Sequence, residues 1–399
     1  MYNEQYFLDK SISCFEEIVS FRRTIHKNPE LSFCEVETTN FILEKLNEFG
    51  IVGEKAISSV NCYKNEKVGV IAKIGKGANC IALRADIDAL PIDEETGLEF
   101  HSNNIGKMHA CGHDFHTAIL LGTAKILKEI EDDLKGTVLL IFQPAEEYLP
   151  GGAKIILDEG LLQKYKPKAI FGQHINPEVP VGSFSYKSGP IMASTDELHI
   201  TITGKSSHAG QPQLGSDVIL AAASLVQFYQ NIVTKFKNPL EQAVISITSL
   251  QAGNATNVYP DKASLLGTMR TYNQNLRNEL KEIIKTKSKL VVEQYNCSID
   301  INVVEGYPPV INSEQTTNFL TKIITNTFNA NAILYAEPKM WAEDFAYYSQ
   351  IAPSTFYFLG VNDMKNTFYP LHSSKLNPSE EALKYGVAIF TNLAYHFLL

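Results

Sequence analysis

The chain has 399 residues, 44% hydrophobic and 20% charged, with a formal net charge of -9. This is a folded globular chain long enough for two domains, and a disordered or low-complexity chain is excluded. The acidic balance argues against nucleic acid or an anionic membrane as partner. No apolar run reaches transmembrane length, and the polar start Met1-Tyr2-Asn3-Glu4-Gln5 is not that of a signal peptide. Six cysteines, at positions 14, 34, 62, 80, 111 and 297, lie without CxxC spacing, which suits a reducing, cytoplasmic setting.

In chain order, residues 4–27 are predicted to form one helix ending at Asn28-Pro29, and a second helical pattern runs through Phe49 to Gly50. Val68 to Ile74 and Cys80 to Arg84 are predicted strands, and Gly75-Lys76-Gly77 between them predicts a hairpin. The second strand leads into Ala85-Asp86-Ile87-Asp88-Ala89-Leu90-Pro91. Its two carboxylates read either as the edge of a site or as turn caps.

Residues 108–118 concentrate the chemistry: a thiol, three imidazoles and a carboxylate precede an apolar helical run. Thiolate and imidazole are ligands that a borderline divalent metal prefers. Cys111 and His113 stand two apart, which converges on a metal from a loop but not from a regular helix, and Gly112 frees the turn between them. Asp114 is placed to N-cap a helix over 115–131, whose positive end would help keep Cys111 as thiolate. The plainer alternative is a buried free cysteine beside core histidines.

Thr137 to Phe142 is a nearly continuous apolar run, as in a strand buried on both faces, and it empties into Gln143-Pro144-Ala145-Glu146-Glu147. A short helix over 153–158 and a buried strand over 169–172 lead to Gln173-His174. Ligands in open α/β sheets collect outside the carboxyl ends of strands, where these side chains fall. At Gly189-Pro190 the texture changes. Strand 198–203, helix 216–235, strands 243–250 and 263–270, helix 274–294 and strand 298–304 give the ferredoxin-like order β-α-β-β-α-β. The predicted organisation is a first domain over 1–189, an inserted domain over 190–305, and a return to the first domain over 306–399. The return carries helix 314–328, strand 355–359, His372 and helix 379–397.

Cys111, His113, Glu147, His174 and His372 make five candidate ligands, with Asp86 and Asp88 beside them or among them. That is too many for one tetrahedral structural site and suits two metals sharing a bridging ligand. Glu146, adjacent to Glu147 but with its own side-chain direction, is the candidate general base.

The chain resembles the hippurate hydrolase, N-acyl-amino-acid amidohydrolase and auxin-conjugate amidohydrolase family, within the aminoacylase and carboxypeptidase G superfamily of two-metal exopeptidases. The resemblance is carried, nearly end to end, by Arg22-Arg23-x-x-His26-x-x-Pro29-Glu30-Leu31, Leu83-Arg84-Ala85-Asp86-x-Asp88-Ala89-Leu90-Pro91 and the Cys111–His116 motif. Gln143 to Glu147, Gly151-Gly152-Ala153-Lys154, Gly204-Lys205-x-x-His208-Ala209, Asn257-Val258-x-Pro260-Asp261, Gly267-Thr268-x-Arg270 and Glu343-Asp344-Phe345 continue it. It implies an α/β, two-metal aminopeptidase-like catalytic domain with an inserted ferredoxin-like α+β lid through which the protein forms a homodimer. It also implies two divalent ions per subunit, zinc or manganese, with cobalt or nickel as substitutes. Cys111 would bridge them, and His113, Glu147, His174 and His372 would complete the set. By the same resemblance Glu146 is the base, His208 stabilises the oxyanion in the neighbouring subunit's site, and Asn257 and Arg270 face the substrate carboxylate. Taken alone, Arg270 on a strand of an acidic protein also reads as a surface ion pair. The chain departs from the family pattern at Ser206-Ser207, Gln213, Trp341-Ala342, Ser374 and Asn377, none of them a candidate ligand. The implied reaction is hydrolysis of the amide bond of a small-molecule N-acyl amino acid. A dipeptide-cleaving exopeptidase and a non-catalytic binding protein of the same fold are the alternatives.

Overall fold

A computed structural model of the protein describes residues 2–58, 66–365 and 367–399, and Cys62 lies outside them. The chain divides into two compact units: Met1–Ile191 with Ile311–Glu337 and Asp344–Leu399, and Met192–Val310 with Pro338–Glu343.

The first unit begins with α1 (Glu4–Ser13), α2 (Phe15–Lys27) and α3 (Val36–Glu48), followed by β1 (Gly53–Ser58), β2 (Lys67–Gly75) and β3 (Cys80–Asp86). Next come α4 (His113–Glu129), β4 (Thr137–Gln143), α5 (Gly152–Asp158), β5 (Ala169–Pro180), β6 (Phe184–Tyr186) and β7 (Gly189–Met192). The single helix expected over 4–27 is two helices. At Cys14 the backbone leaves the helical region (φ -103°, ψ 13°), and the halves take different partners, α1 against α10 (Ala382–Leu398) and α2 against α4.

The second unit contains β8 (Asp196–Thr203), β9 (Ser207–His208), α6 (Val218–Lys235), β10 (Ala243–Ala252), β11 (Val258–Tyr259), β12 (Lys262–Thr271), α7 (Gln274–Glu293) and β13 (Ser298–Glu305). Its four-stranded sheet runs β10-β12-β8-β13, antiparallel throughout, which is the ferredoxin-like order. β8 alternates buried and exposed residues, so one face packs against α6 and α7 around Leu198, Ile200, Leu225, Leu265 and Leu280.

The first unit then resumes with β14 (Val310–Asn312), α8 (Glu314–Thr327), β15 (Ile333–Tyr335), α9 (Ala346–Ser349) and β16 (Ser354–Asn362), and closes with α10. Its eight-stranded sheet runs β1-β2-β4-β3-β5-β16-β6-β15. β3 and β4 are buried at every residue, as their unbroken apolar runs require. The hairpin expected across Gly75-Lys76-Gly77 does not form. β4 lies between β2 and β3, antiparallel to the first and parallel to the second. An apolar strand with both faces to bury gains more from a central position than β2 and β3 would gain from pairing with each other. β5 also outruns its expected end. Pairing with β16 from Ile170 to Pro180 carries the strand past Gly172, so His174 sits within β5 rather than after it.

Candidate functional site

β4, β3, β5 and β16 run parallel in sequence across the sheet, and their carboxyl ends share one rim. The end of β3 delivers Asp86 and the turn after it Asp88, the turn after β4 delivers Glu146 and Glu147, and β5 delivers His174. α4 starts at His113, not Phe115, with Gly112 as its N-cap at φ 83°. A Cβ at Gly112 would stand 2.2 Å from Ile175, so the Cys111–His113 turn is closed to other residues by both conformation and space. Asp114 therefore does not cap the helix. It lies in the first turn, buried, accepting from Arg22 Nε at 2.7 Å and pairing with His26 Nδ1 at 2.8 Å.

Donor atoms of Cys111, His113 and His174 lie within 4.8 Å of one another. So do those of Cys111, Glu147 and His372, and those of His113, Glu146 and Glu147. All five candidate ligands and Glu146 are thus brought together in overlapping groups. The histidines are oriented for the task. His113 Nδ1 donates to the Asp88 carbonyl at 2.9 Å, with the Asp88 carboxylate at 3.1 Å, which leaves Nε2 buried with no hydrogen-bond partner among the described residues. His174 Nδ1 donates to the Ile175 carbonyl at 2.7 Å, and its Nε2 faces Cys111 Sγ at 3.4 Å. Glu147 is held by its N–H, which donates to Asp88 Oδ2 at 3.0 Å, while its Oε1 is buried without a hydrogen bond. His372 Nε2 stands 3.1 Å from that oxygen. The His372 ring is half exposed and its backbone N–H donates to Ala110 O at 2.8 Å.

Electrostatically, carboxylates dominate the site. Burial, then Glu147, Glu146 and Asp86, push the Cys111 thiol well above its ordinary range. Without a cation, burial and the acidic neighbours thus oppose the thiolate that the helix end was expected to favour. Burial pulls His113 down, but Asp86 and Asp88 outweigh it and raise the imidazole to about 10. Burial and neighbouring His116 hold His174 neutral, well below its usual value. A thiol, aligned imidazole lone pairs and orphaned carboxylate oxygen, all buried, fit divalent cations of the zinc and manganese kind. Such a cation would convert Cys111 to thiolate and displace the His113 proton.

Behind these donors lies a network that joins Asp86, expected beside or among the ligands, to Arg84, Gln143, Asp344 and His116, which sequence reasoning quoted in motifs but gave no role. Arg84, inside an otherwise apolar strand, donates to Asp86 Oδ2 at 2.7 Å, Asp344 Oδ1 at 2.7 Å and Gln143 Oε1 at 2.9 Å. His116 spends both ring nitrogens, Nδ1 on Asp86 at 2.5 Å and Nε2 on the Ile175 N–H at 2.9 Å, so it supports the site rather than offering a ligand. The usable signal was Arg84 itself: a guanidinium in a strand buried on both faces requires buried carboxylates.

His208, Asn257 and Arg270 belong to the second unit. His208 on β9 pairs with Val258 on β11, and the Ala209 N–H donates to Asn257 O at 2.9 Å, which sets His208 and Asn257 side by side, both exposed. Arg270 on β12 is half-buried, with Nη1 against Thr268 Oγ1 and the Met269 carbonyl rather than a carboxylate.

An α/β sheet with sulfur, imidazole and carboxylate donors gathered at the ends of its parallel strands has the layout of a metallohydrolase. Comparison with known proteins agrees. The profile of peptidase family M20/M25/M40 matches residues 82–396. An IAA-amino acid hydrolase of Arabidopsis thaliana is 38% identical over 98% of this chain and 87% of its own. An N-acetylcysteine deacetylase of Bacillus subtilis is 39% identical over 94% of this chain and 96% of its own. The crystal structure of a dinuclear metal binding peptidase of the M20 family from Bacillus subtilis superposes with a TM-score of 0.83 at 36% identity, covering 97% of this chain and 99% of that one. The chain belongs to peptidase family M20/M25/M40.

Proposed function

We infer that the protein is a metal-dependent amidohydrolase that removes the acyl group from N-acyl amino acids. The observation that carries this reading is the convergence of Cys111, His113, Glu147, His174 and His372 with buried Glu146 beside them. The relatives are named for the same bond, an amide between an acid and an amino acid.

His113 and His174 would hold metal through Nε2, with Cys111 shared and Glu147 and His372 on its other side. Two divalent ions, zinc or manganese, would when bound polarise the amide carbonyl and make a nearby water more acidic. Glu146 takes the proton of the attacking water on its carboxylate and returns it to the leaving amine, so one group serves as base and then acid. Asp88 fixes the His113 ring and the Glu147 backbone together. His208 would supply a donor to the developing oxyanion, and Asn257 and Arg270 would take the substrate carboxylate. The exposed apolar side chains Ile219, Leu220, Val244, Leu250 and Leu266 of the second unit support pairing of two copies through it.

The test is a hydrolysis panel of N-acetyl and N-benzoyl amino acids against dipeptides, with the wild type and Glu146→Gln. N-acyl amino acids should be the better substrates, and Glu146→Gln should lower turnover by at least about 10²-fold while keeping its metal. Preference for dipeptides would shift the reading to an exopeptidase, and an active Glu146→Gln would assign the base elsewhere.

A further inference from the structure

We propose that Glu35 is a positioning residue for Glu146, acting through the backbone of Ala145; the proposal rests on the reading of Glu146 as the base. Glu35 stands at the N-cap of α3, yet its side chain makes no capping bond to its own helix. It is fully buried and reaches across the unit to accept the Ala145 N–H on Oε1 at 2.7 Å. Ala145 is the residue just before Glu146, and its φ of 54° is a left-handed conformation that a residue with a Cβ adopts at a cost. Something must hold it there.

The surroundings of Ala145 form a clamp in which Glu35 is one jaw. The Ala145 carbonyl accepts from Gly152 N at 2.9 Å. Pro144 is pressed onto Gly69, where a Cβ would stand 2.5 Å from the proline ring. Gly69 N donates to Thr39 Oγ1 at 2.9 Å, and that hydroxyl donates to Glu35 O at 2.5 Å. On the far side of Glu146, Glu147 N donates to Asp88 Oδ2, which also accepts from Ser32 Oγ at 2.6 Å. The segment 32–35 thus governs the amides on both sides of Glu146, one directly and one through Asp88. Glu35 Oε2 is buried with no partner among the described residues, and burial followed by Asp88 pushes this carboxyl well above its ordinary range. A single side-chain oxygen at fixed reach accepts the Ala145 N–H, a bond that an amide oxygen of equal reach also makes, so the length of the side chain is what matters.

Two conservative variants separate length from charge. Glu35→Gln keeps the reach and the acceptor, whereas Glu35→Asp keeps the carboxyl and falls one methylene short. Glu35→Asp should lose about 10- to 100-fold in kcat, as expected for slight misplacement of a reacting group. Its KM should stay within about threefold. Its metal content by elemental analysis should match the wild type, and amide hydrogen exchange at Ala145 should accelerate while α10 stays protected. Glu35→Gln should match the wild type in kcat within about threefold and in Ala145 protection. The proposal is overturned if Glu35→Asp keeps full kcat or Ala145 protection, if Glu35→Gln falls as far as Glu35→Asp, or if protection is lost across α10, which would make Glu35 merely structural. Glu146→Gln assayed alongside keeps the two ideas apart. Its full activity would remove the base assignment, while exchange at Ala145 still decides whether the clamp exists.

Discussion

Two groups of donors share Cys111 and differ in how they are held. On one side, His113 and His174 are buried, sit on α4 and β5, and each has Nδ1 committed to a carbonyl. On the other, His372 comes from a loop at φ 64°, is 53% exposed at its side chain, and is tied by its backbone to Ala110. The first pair meets a cation with rotamer and tautomer already set. The second holds its histidine ring half open to solvent, so any side-chain freedom lost on binding would be subtracted from affinity. If Cys111 is shared by two ions, as proposed, it would join a rigid half-site to an adjustable one, and the two ions should differ in how readily they leave.

The largest effect should come from removing a ligand on each side. His113→Ala is expected to lose both ions and more than about 10²-fold in metal affinity, since the rigid half and the shared thiol depend on it. His372→Ala should keep about one ion per chain. Elemental analysis of the purified variants decides this, and equal losses in the two would break the comparison. A smaller effect concerns protons. In the metal-free protein the Cys111 thiol is pushed up and His113 is raised to about 10, so both carry a proton that metal must expel. The metal-free form binds more protons than the loaded form, so apparent affinity should rise with pH across the range from about 6.5 to about 10. Calorimetric titration in buffers of different ionisation enthalpy would count about two protons released on loading. Affinity flat with pH would mean that the site is already deprotonated.

The smallest effect tests the footing of the rigid half. Asp114, next to His113, is gripped by Arg22 and His26, and His26 Nε2 reaches Glu94 Oε1 at 3.2 Å. Burial raises Glu94, but the hydrogen bonds from His26, Thr96 and the Ser102 N–H prevail and bring it down to about 2. A depressed carboxylate contributes stability that is present above its ordinary value of 4.5 and is lost as pH falls through about 2. Glu94→Gln should lower Tm by on the order of 2–4 °C at pH 7. The gap from wild type should close as pH falls from about 4.5 to about 2. A gap that persists at low pH would show that packing, not the pairing with His26, is what the substitution removes.

The donor residues were legible because each is chemically distinctive, and Glu147 also because it follows a strand whose apolar run marks it as buried. β4 and the start of β5 were readable for the same reason, and the second unit was readable from the alternation of β8 and the order of its elements. What the sequence concealed was non-local. Nothing near Gly75 reveals that β4, beginning at Thr137, will insert between β2 and β3. Nothing near Gly172 reveals that β16 will extend β5 to Pro180. The role of Glu35 was hidden similarly, because its partner amide is Ala145 and a glutamate at an N-cap looks like surface. Asp114 misled for a related reason. A carboxylate at a helix start ordinarily caps it, but a buried Arg22 makes a stronger claim.

The strand order also determines when the centre can come into being during synthesis. β3 carries Asp86 at its end, but its two neighbours in the sheet begin only at Thr137 and Ala169. Cys111 and His113 are therefore translated before the strands that will place Glu147 and His174 beside them. His372 arrives last, after the whole second unit has been made, and docks through its N–H on Ala110, a contact spanning most of the chain. Such distant pairings close slowly, because loop entropy is lost before contacts compensate for it. His174 pairs with Phe358 of β16, so the rigid half-site also waits for a strand made only shortly before His372. Both halves of the centre are therefore completed by the last part of the chain to be made, and neither can be assembled from the first half of the sequence alone.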